Sequence, residues 1–210
     1  SASASGGTAP YTYEFIVSNE INPSNIIAEF TENSVSSTSN SIVWTTNAIG
    51  TFVANVIVTD SATTYETTNS GYSANIVVNP ALGTPSITSP AATNTLDKGQ
   101  PITISASASG GTAPYTYEFI VSNEINPSNI IAEFTENSVS STSNSIVWTS
   151  NAIGTFVANV IVTDSANTPE TTNSVYSSNI VVNPALQFVS PPVPSNTCLL
   201  YTSDAADERS

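Results

Sequence analysis

Apolar residues in this chain fall on alternate positions in short runs, and the runs return in the same order. Through residues 102–109, Ile102, Ile104, Ala106 and Ala108 alternate with Thr and Ser, the period of two that marks a strand with one buried face. Over residues 115–122, Tyr115, Tyr117, Phe119 and Val121 share one face, with Thr116, Glu118 and Ile120 on the other. Phe156, Ala158, Val160 and Val162 alternate through residues 155–164, and Ile146 and Trp148 share a face of residues 145–149. Less regular runs predict an edge strand at 85–89, a weaker one at 130–135 and a closing strand at 175–183. The segments between read as loops: a polar one through Asp97, Lys98 and Gly99, a turn at 110–114, then 123–129, 137–143, 151–154 and 164–173. No helical period interrupts the series. Short strands at this spacing predict an all-β fold, a Greek-key β-sandwich with about seven strands per unit.

The pattern is written twice. Residues 1–82 match residues 105–186 at every position but five: Thr46/Ser150, Thr63/Asn167, Tyr65/Pro169, Gly71/Val175 and Ala74/Ser178. None of the five is an expected core position, and four of them lie in the last loop and strand. The expected organisation is a repeat at 1–82 that begins inside its second strand and so lacks its first, a complete repeat at 83–186, and the start of a divergent third at 187–197. Residues 80–85, with two prolines, predict a short stiff junction. Residues 198–210 hold the only Cys and the only Arg, and resemble the translation of a transposase adaptor used in preparing sequencing libraries. They are read as a non-native, adaptor-derived tail.

Composition narrows the role. Only 9% of residues are charged, and the net charge is −14. Lys98 and Arg209 cannot build a basic patch, which excludes nucleic acid and direct contact with anionic membrane as partners. A single Cys leaves no intramolecular disulfide framework.

Two segments, present in both copies, carry a family resemblance. Gly110-Gly111-Thr112-Ala113-Pro114-Tyr115-Thr116-Tyr117-Glu118-Phe119 resembles the G-G-x-x-P-Y-x-Y-x-W segment of PKD-like and Ig-like repeats in archaeal and bacterial surface proteins. Gly154-Thr155-Phe156 through Val162-Thr163-Asp164 resembles the G-T-Y-x-V-x-V-x-V-T-D strand of the same repeats. Phe15 and Phe119 stand where those repeats carry Trp, and the F-G-D-G turn of PKD domains is absent. The resemblance implies an extracellular or cell-surface stalk, spacer or adhesin, anchored outside this segment, whose partners are neighbouring repeats and surface proteins or glycans.

Candidate chemistry is sparse. The chain has no His, which removes Ser-His-Asp, Cys-His and His-ligated metal sites. Paired carboxylates could hydrolyse glycosides, and Glu118, Glu133, Glu136 and Asp164 are the acids to weigh. Alternation puts Glu118 on the outer face, so solvated surface acids are the expectation and no catalytic residue is assigned. Calcium is the one cofactor that bare carboxylates would suit. Its candidate ligands are Asp164 and Glu170, in a loop expected near the junction with the preceding repeat. Two acids make no cage, and capping of a turn is the simpler role for Asp164. The tyrosines, Trp44 and Trp148 could form a sugar-binding platform, but their phase faces inward. Gly110-Gly111 has no Lys and no following helix, so it is a turn and not a phosphate loop. The reading is a non-catalytic structural repeat, the rival being a carbohydrate- or protein-binding accessory module of a secreted enzyme.

Overall fold

The protein is described here by a computed structural model covering residues 1–190, apart from the side chains of Ser34 and Ser138. The adaptor-like tail at 198–210, and most of the expected start of a third repeat, lie outside the described residues. The first unit contains β1 (Ala2–Ser3), β2 (Tyr11–Asn19), β3 (Ile26–Val35), β4 (Ser39–Asn40), β5 (Gly50–Thr59), β6 (Thr67–Asn69) and β7 (Ile76–Val78). The second contains β8 (Ser86–Ser89), β9 (Asn94–Asp97), β10 (Pro101–Ser107), β11 (Tyr115–Asn123), β12 (Ile130–Val139), β13 (Ser143–Thr149), β14 (Gly154–Thr163), β15 (Thr171–Asn173) and β16 (Ile180–Asn183).

The second unit is a sandwich of two sheets. One runs β12-β11-β14-β16-β9, with β15 also on β14, and the other runs β13-β10-β8. Every pairing is antiparallel except that of β9 with β16. The opening strand therefore divides: β8 lies on β10 in one sheet, and β9 crosses to lie parallel to β16 in the other. This is an Ig-like arrangement, and it closes both sheets around one core.

The alternation in the sequence is what fills that core. Tyr115, Tyr117, Phe119 and Val121 from β11 meet Phe156, Ala158, Val160 and Val162 from β14, with Ile102, Ile104 and Ala106 of β10 and Ile146 and Trp148 of β13 also in the cluster. Tyr117 stacks on Phe119 at 6.2 Å, and Trp148 meets Phe156 edge to face at 5.3 Å. Burial of these rings supplies both area and the geometric preference of aromatic pairs. The hydroxyls that come inside are satisfied: Tyr115 donates to the Gly110 carbonyl at 2.8 Å and Tyr117 to that of Ser141 at 3.2 Å.

Several boundaries differ from the sequence reading. The segment expected to be a polar loop through Asp97 contains β9, because Leu96 is buried and its backbone pairs with Val182. The strand expected at 130–135 runs on to Val139, since β11 is long enough to pair it to the end. The closing strand forms only at Ile180–Asn183, with Thr171–Asn173 of the expected loop pairing β14 instead. Ser150, at one of the five differing positions, is buried in its turn and lies outside the core cluster. The Gly99 amide donates to its carbonyl at 3.0 Å as the β9–β10 turn covers it.

The first unit repeats the larger sheet but not the smaller. β3-β2-β5-β6, with β7 also on β5, forms one sheet, while the other consists of β1 paired with β4. Ala2 and Ser3 face Asn40 and Ser39, as Ala106 and Ser107 face Asn144 and Ser143 in the second unit. Residues 42–44, expected as a strand, form none: Ile146, Val147 and Trp148 pair with Ile104, Thr103 and Ile102, and the first unit offers no such rungs. Trp44 is consequently only half-buried, although it keeps its edge contact with Phe52 at 5.2 Å. Five residues form the first unit's main core cluster, against seventeen in the second. That difference sets an order of unfolding. Urea denaturation followed in Trp148→Phe, which leaves Trp44 as reporter, should show an earlier transition than in Trp44→Phe, each with m on the order of 1 kcal/mol/M. Coincident curves would show instead that the two units unfold as one.

Candidate functional site

Nearly identical sequence meets different surroundings at the Gly-Gly turn, which makes it the place to look for a site. Gly110 and Gly111 both hold positive φ, 69° and 70°, a conformation that side chains disfavour. The absence of Cβ atoms serves a second purpose. A Cβ on Gly110 would lie 2.2 Å from the Ala81 carbonyl oxygen, and one on Gly111 would lie 3.0 Å from the Leu82 side chain. The junction between the repeats runs directly across this turn.

Residues 79–83 are held there along their length. The Gly111 amide donates to the Pro80 carbonyl at 2.8 Å, and the Gly83 amide to that of Ser109 at 2.7 Å. Glu170 accepts the Leu82 amide at 2.5 Å, Thr172 donates to the Gly83 carbonyl at 3.1 Å, and Asn79 donates to the Thr112 hydroxyl at 2.9 Å. Leu82 itself is 6% exposed and belongs to the second unit's core. Although sequence matching counts Leu82 with the first repeat, it packs in the second.

Asp164 organises the socket from beneath. One of its oxygens accepts the Thr112 amide at 2.8 Å and the other that of Glu170 at 2.7 Å. Asp164 and Glu170 are thus brought together at the junction, as their loop position suggested, and their geometry is that of amide acceptors. Among the described residues, no three Asp, Glu, His or Cys side chains gather as a metal site would require. In the first unit Asp60 occupies the equivalent place. The amides of Glu66 and then of Thr8 hold its carboxyl below the usual carboxylate range.

Glu118, Glu133 and their counterparts Glu14 and Glu29 lie on the outer face of the larger sheet. Glu118 and Glu133 stand diagonally across β11 and β12, and Glu14 and Glu29 do the same across β2 and β3. A hydrogen bond with Glu133, then desolvation and repulsion by the same group, raise Glu118 above the usual carboxylate range, and Glu29 acts likewise on Glu14. Glu136 is exposed opposite Tyr117 in the ladder, apart from Asp164 at the socket. Trp148, Tyr115 and Tyr117 are core residues and offer no platform, while among the described residues Tyr65, Tyr72, Tyr176 and Phe188 are the exposed rings. The docking role of the Gly-Gly turn was not visible in the sequence; the signal available was Pro-Ala-Leu recurring at 80–82 and 184–186.

No protein-family model matches the chain. No curated protein matches it either. Solved structures of similar architecture include fibronectin(III)-like modules of Clostridium thermocellum CbhA, at 16% identity and a TM-score of 0.35 over 86% of this chain and 83% of that one. Domains 4 and 5 of the S-layer protein SbsC match at 13% identity and a TM-score of 0.28, over 82% of this chain and 70% of that one. The four N-terminal Ig domains of Dscam1 isoform 4.44 match at 11% identity and a TM-score of 0.32, over 82% of this chain but 38% of that one. At such identities and TM-scores nothing of those proteins' roles transfers to this one.

Two outcomes are expected from the socket and the acid pairs. Gly6 has the backbone of Gly110, at φ 78°, but a Cβ there would meet nothing within 4 Å. Gly6→Ala should therefore cost only the roughly 1–2 kcal/mol of left-handed strain, and Gly110→Ala clearly more in the second unit's unfolding; equal costs would mean that the Ala81 contact is immaterial. The pH response has two limbs. Glu14 and Glu118, raised in the folded state, bind protons more tightly there, so stability falls as pH rises through their folded values. Asp60, lowered, adds stability that is lost as pH falls through its folded value. Stability should thus peak in mild acid, and Glu133→Gln should raise neutral-pH stability by about 0.5 kcal/mol while flattening the upper limb. A Glu133→Gln profile parallel to that of the unsubstituted chain would remove the pair as the cause.

Proposed function

We propose that this chain is a non-catalytic structural segment of an extracellular surface protein, in which Ig-like repeats form a stalk or spacer, as in an adhesin. The observation that carries the reading is the burial of Leu82, at the end of one repeat, in the core of the next. Anchoring residues 79–83 on the following domain shortens the hinge between repeats, and in this reading each added repeat lengthens the molecule by a near-constant step. Near-identity of residues 1–82 and 105–186 fits a molecule whose length changes by duplication. The finer kinship, with PKD-like and archaeal-type surface repeats, rests on the two segments at 110–119 and 154–164 and belongs to the same proposal. The rival, a carbohydrate- or protein-binding accessory module of a secreted enzyme, loses support on its carbohydrate side because Trp148, Tyr115 and Tyr117 are spent on the core.

Small-angle scattering tests the mechanical part. The long strands, of 9 or 10 residues, make each unit roughly 30–33 Å long at about 3.3 Å per residue. Two units in line should give a longest dimension near twice that, unchanged by chelator, and Leu82→Asp should broaden the distance distribution. A compact, folded-back particle would contradict the spacer reading, and collapse in chelator alone would assign the stiffness to calcium.

A further inference from the structure

The larger sheet of the second unit ends in a long open edge. β12 pairs β11 on one side, and among the described residues no strand pairs its other side. It has ten residues, whereas β8 and β9, the edges on the far side of the sandwich, have four each. Bulges toward its two ends leave a regular run over residues 132–136. An unpaired edge offers a row of N–H and C=O groups to an incoming strand. We propose that residues 132–136 are a docking site for an extended segment of a partner protein, one that places basic side chains opposite Glu133 and Glu136 and apolar ones opposite Ala132 and Phe134.

A strand added here finds its apolar side already prepared. Between β12 and β13, the edge of the smaller sheet, lies a cleft of about 590 Å³ lined by Ala132, Phe134 and Trp148. Ala132 and Phe134 are half-buried against the core, and Trp148 is 4% exposed. Ile131 and Val147 also line the cleft, and they stay 39% and 61% exposed. Directly opposed residues of a ladder share a face, so side chains opposite Ala132 and Phe134 would turn toward this cleft. None of the residues that hold the linker at the Gly-Gly turn lines it.

Charge decides the occupant. Glu133 stands on the outer face beside Glu118, and Glu136 lies opposite Tyr117, on the cleft side of the edge. Lys98, the only basic residue among the described residues, belongs to the turn after β9, at the opposite edge of the same sheet. A second copy of so acidic a chain has no basic strand to offer, and its own β12 would bring like charges together. A basic segment meets neither objection. Beside Glu133 it would also relieve the repulsion that this group exerts on Glu118. In an antiparallel ladder, the commoner arrangement, the segment reads basic, any, apolar, basic, apolar from its N-terminus. β3 repeats β12 residue for residue and is likewise an edge, so a partner carrying the segment more than once would gain from multivalency.

The probe is an acetylated Lys-Thr-Val-Lys-Val amide, titrated to about 2 mM into the full chain carrying Trp44→Phe, a range suited to a short peptide held by few contacts. Trp148 emission should change saturably, and hydrogen exchange of the β12 amides should slow. Glu133→Gln combined with Glu136→Gln should weaken binding about five-fold, as the loss of two exposed ion pairs implies. Glu133→Lys combined with Glu136→Lys should instead prefer a Glu-Thr-Val-Glu-Val peptide. The same residues reordered as Lys-Lys-Thr-Val-Val should bind far more weakly to the unsubstituted acids, because they cannot alternate between the two faces. No saturation by about 2 mM overturns the proposal. So does equal binding of the reordered peptide, which would mean attraction to bulk negative charge. Protection that falls on β9 or β13 in place of β12 overturns it as well, as does pairing of unsubstituted chains through β12, which would make a second copy the occupant. Each of these failures leaves the spacer reading standing, because the latch at residues 79–83 uses none of the docking residues.

Discussion

The Leu82 side chain enters the second unit's core, and the backbone around it has to pass within van der Waals reach of the 110–111 turn. That passage is open while both turn residues lack Cβ atoms, and it is guided by the Ser109 carbonyl, the Gly111 amide, the Glu170 carboxylate and the Thr172 hydroxyl. A buried leucine contributes on the order of 1.5–3 kcal/mol. Here that energy also fixes where one repeat ends and the next begins. The linker is thereby made a structural element of the repeat it leads into.

The two copies show how far context governs a nearly constant sequence. Tyr13 and Tyr117 are both fully buried, and the β2–β5 and β11–β14 ladders share one register. Yet Trp148 lies in a seven-residue strand while Trp44 lies in none. The difference is supplied by residues 82–104, which bring Leu82, β8, β9 and the first half of β10. Burial in a sandwich is cooperative between sheets, so a segment that reads as a strand forms one only where its partner is present to receive its hydrogen bonds.

Much of this was legible in the sequence, and for an identifiable reason. Alternation through Tyr115–Val121 and Phe156–Val162 is strict because each strand has one face in the core, and period-two patterning survives any uncertainty about loops. The strand at Asn94–Asp97 was hidden because it buries a single leucine and pairs at an edge, leaving too short a run to alternate. The closing strand was read too long because Val175 and Tyr176 are apolar yet exposed. Asp164 and Glu170 were correctly placed beside the junction, but sequence pairs them as carboxylates. Only coordinates reveal that their oxygens face backbone amides. The socket itself could not be read, because it is made from a turn, a linker and a loop with no common period, and its key contacts are to backbone atoms.

Native-state amide hydrogen exchange reaches the central claim most directly. The amides of Leu82, Gly83 and Gly111 bridge linker and socket, so they should exchange only through global unfolding of the second unit, at the free energy of its β11 and β14 amides. Exchange of those three at the rate of an unstructured linker, with β11 and β14 still protected, would show that the junction is a tether and that the repeats are not latched.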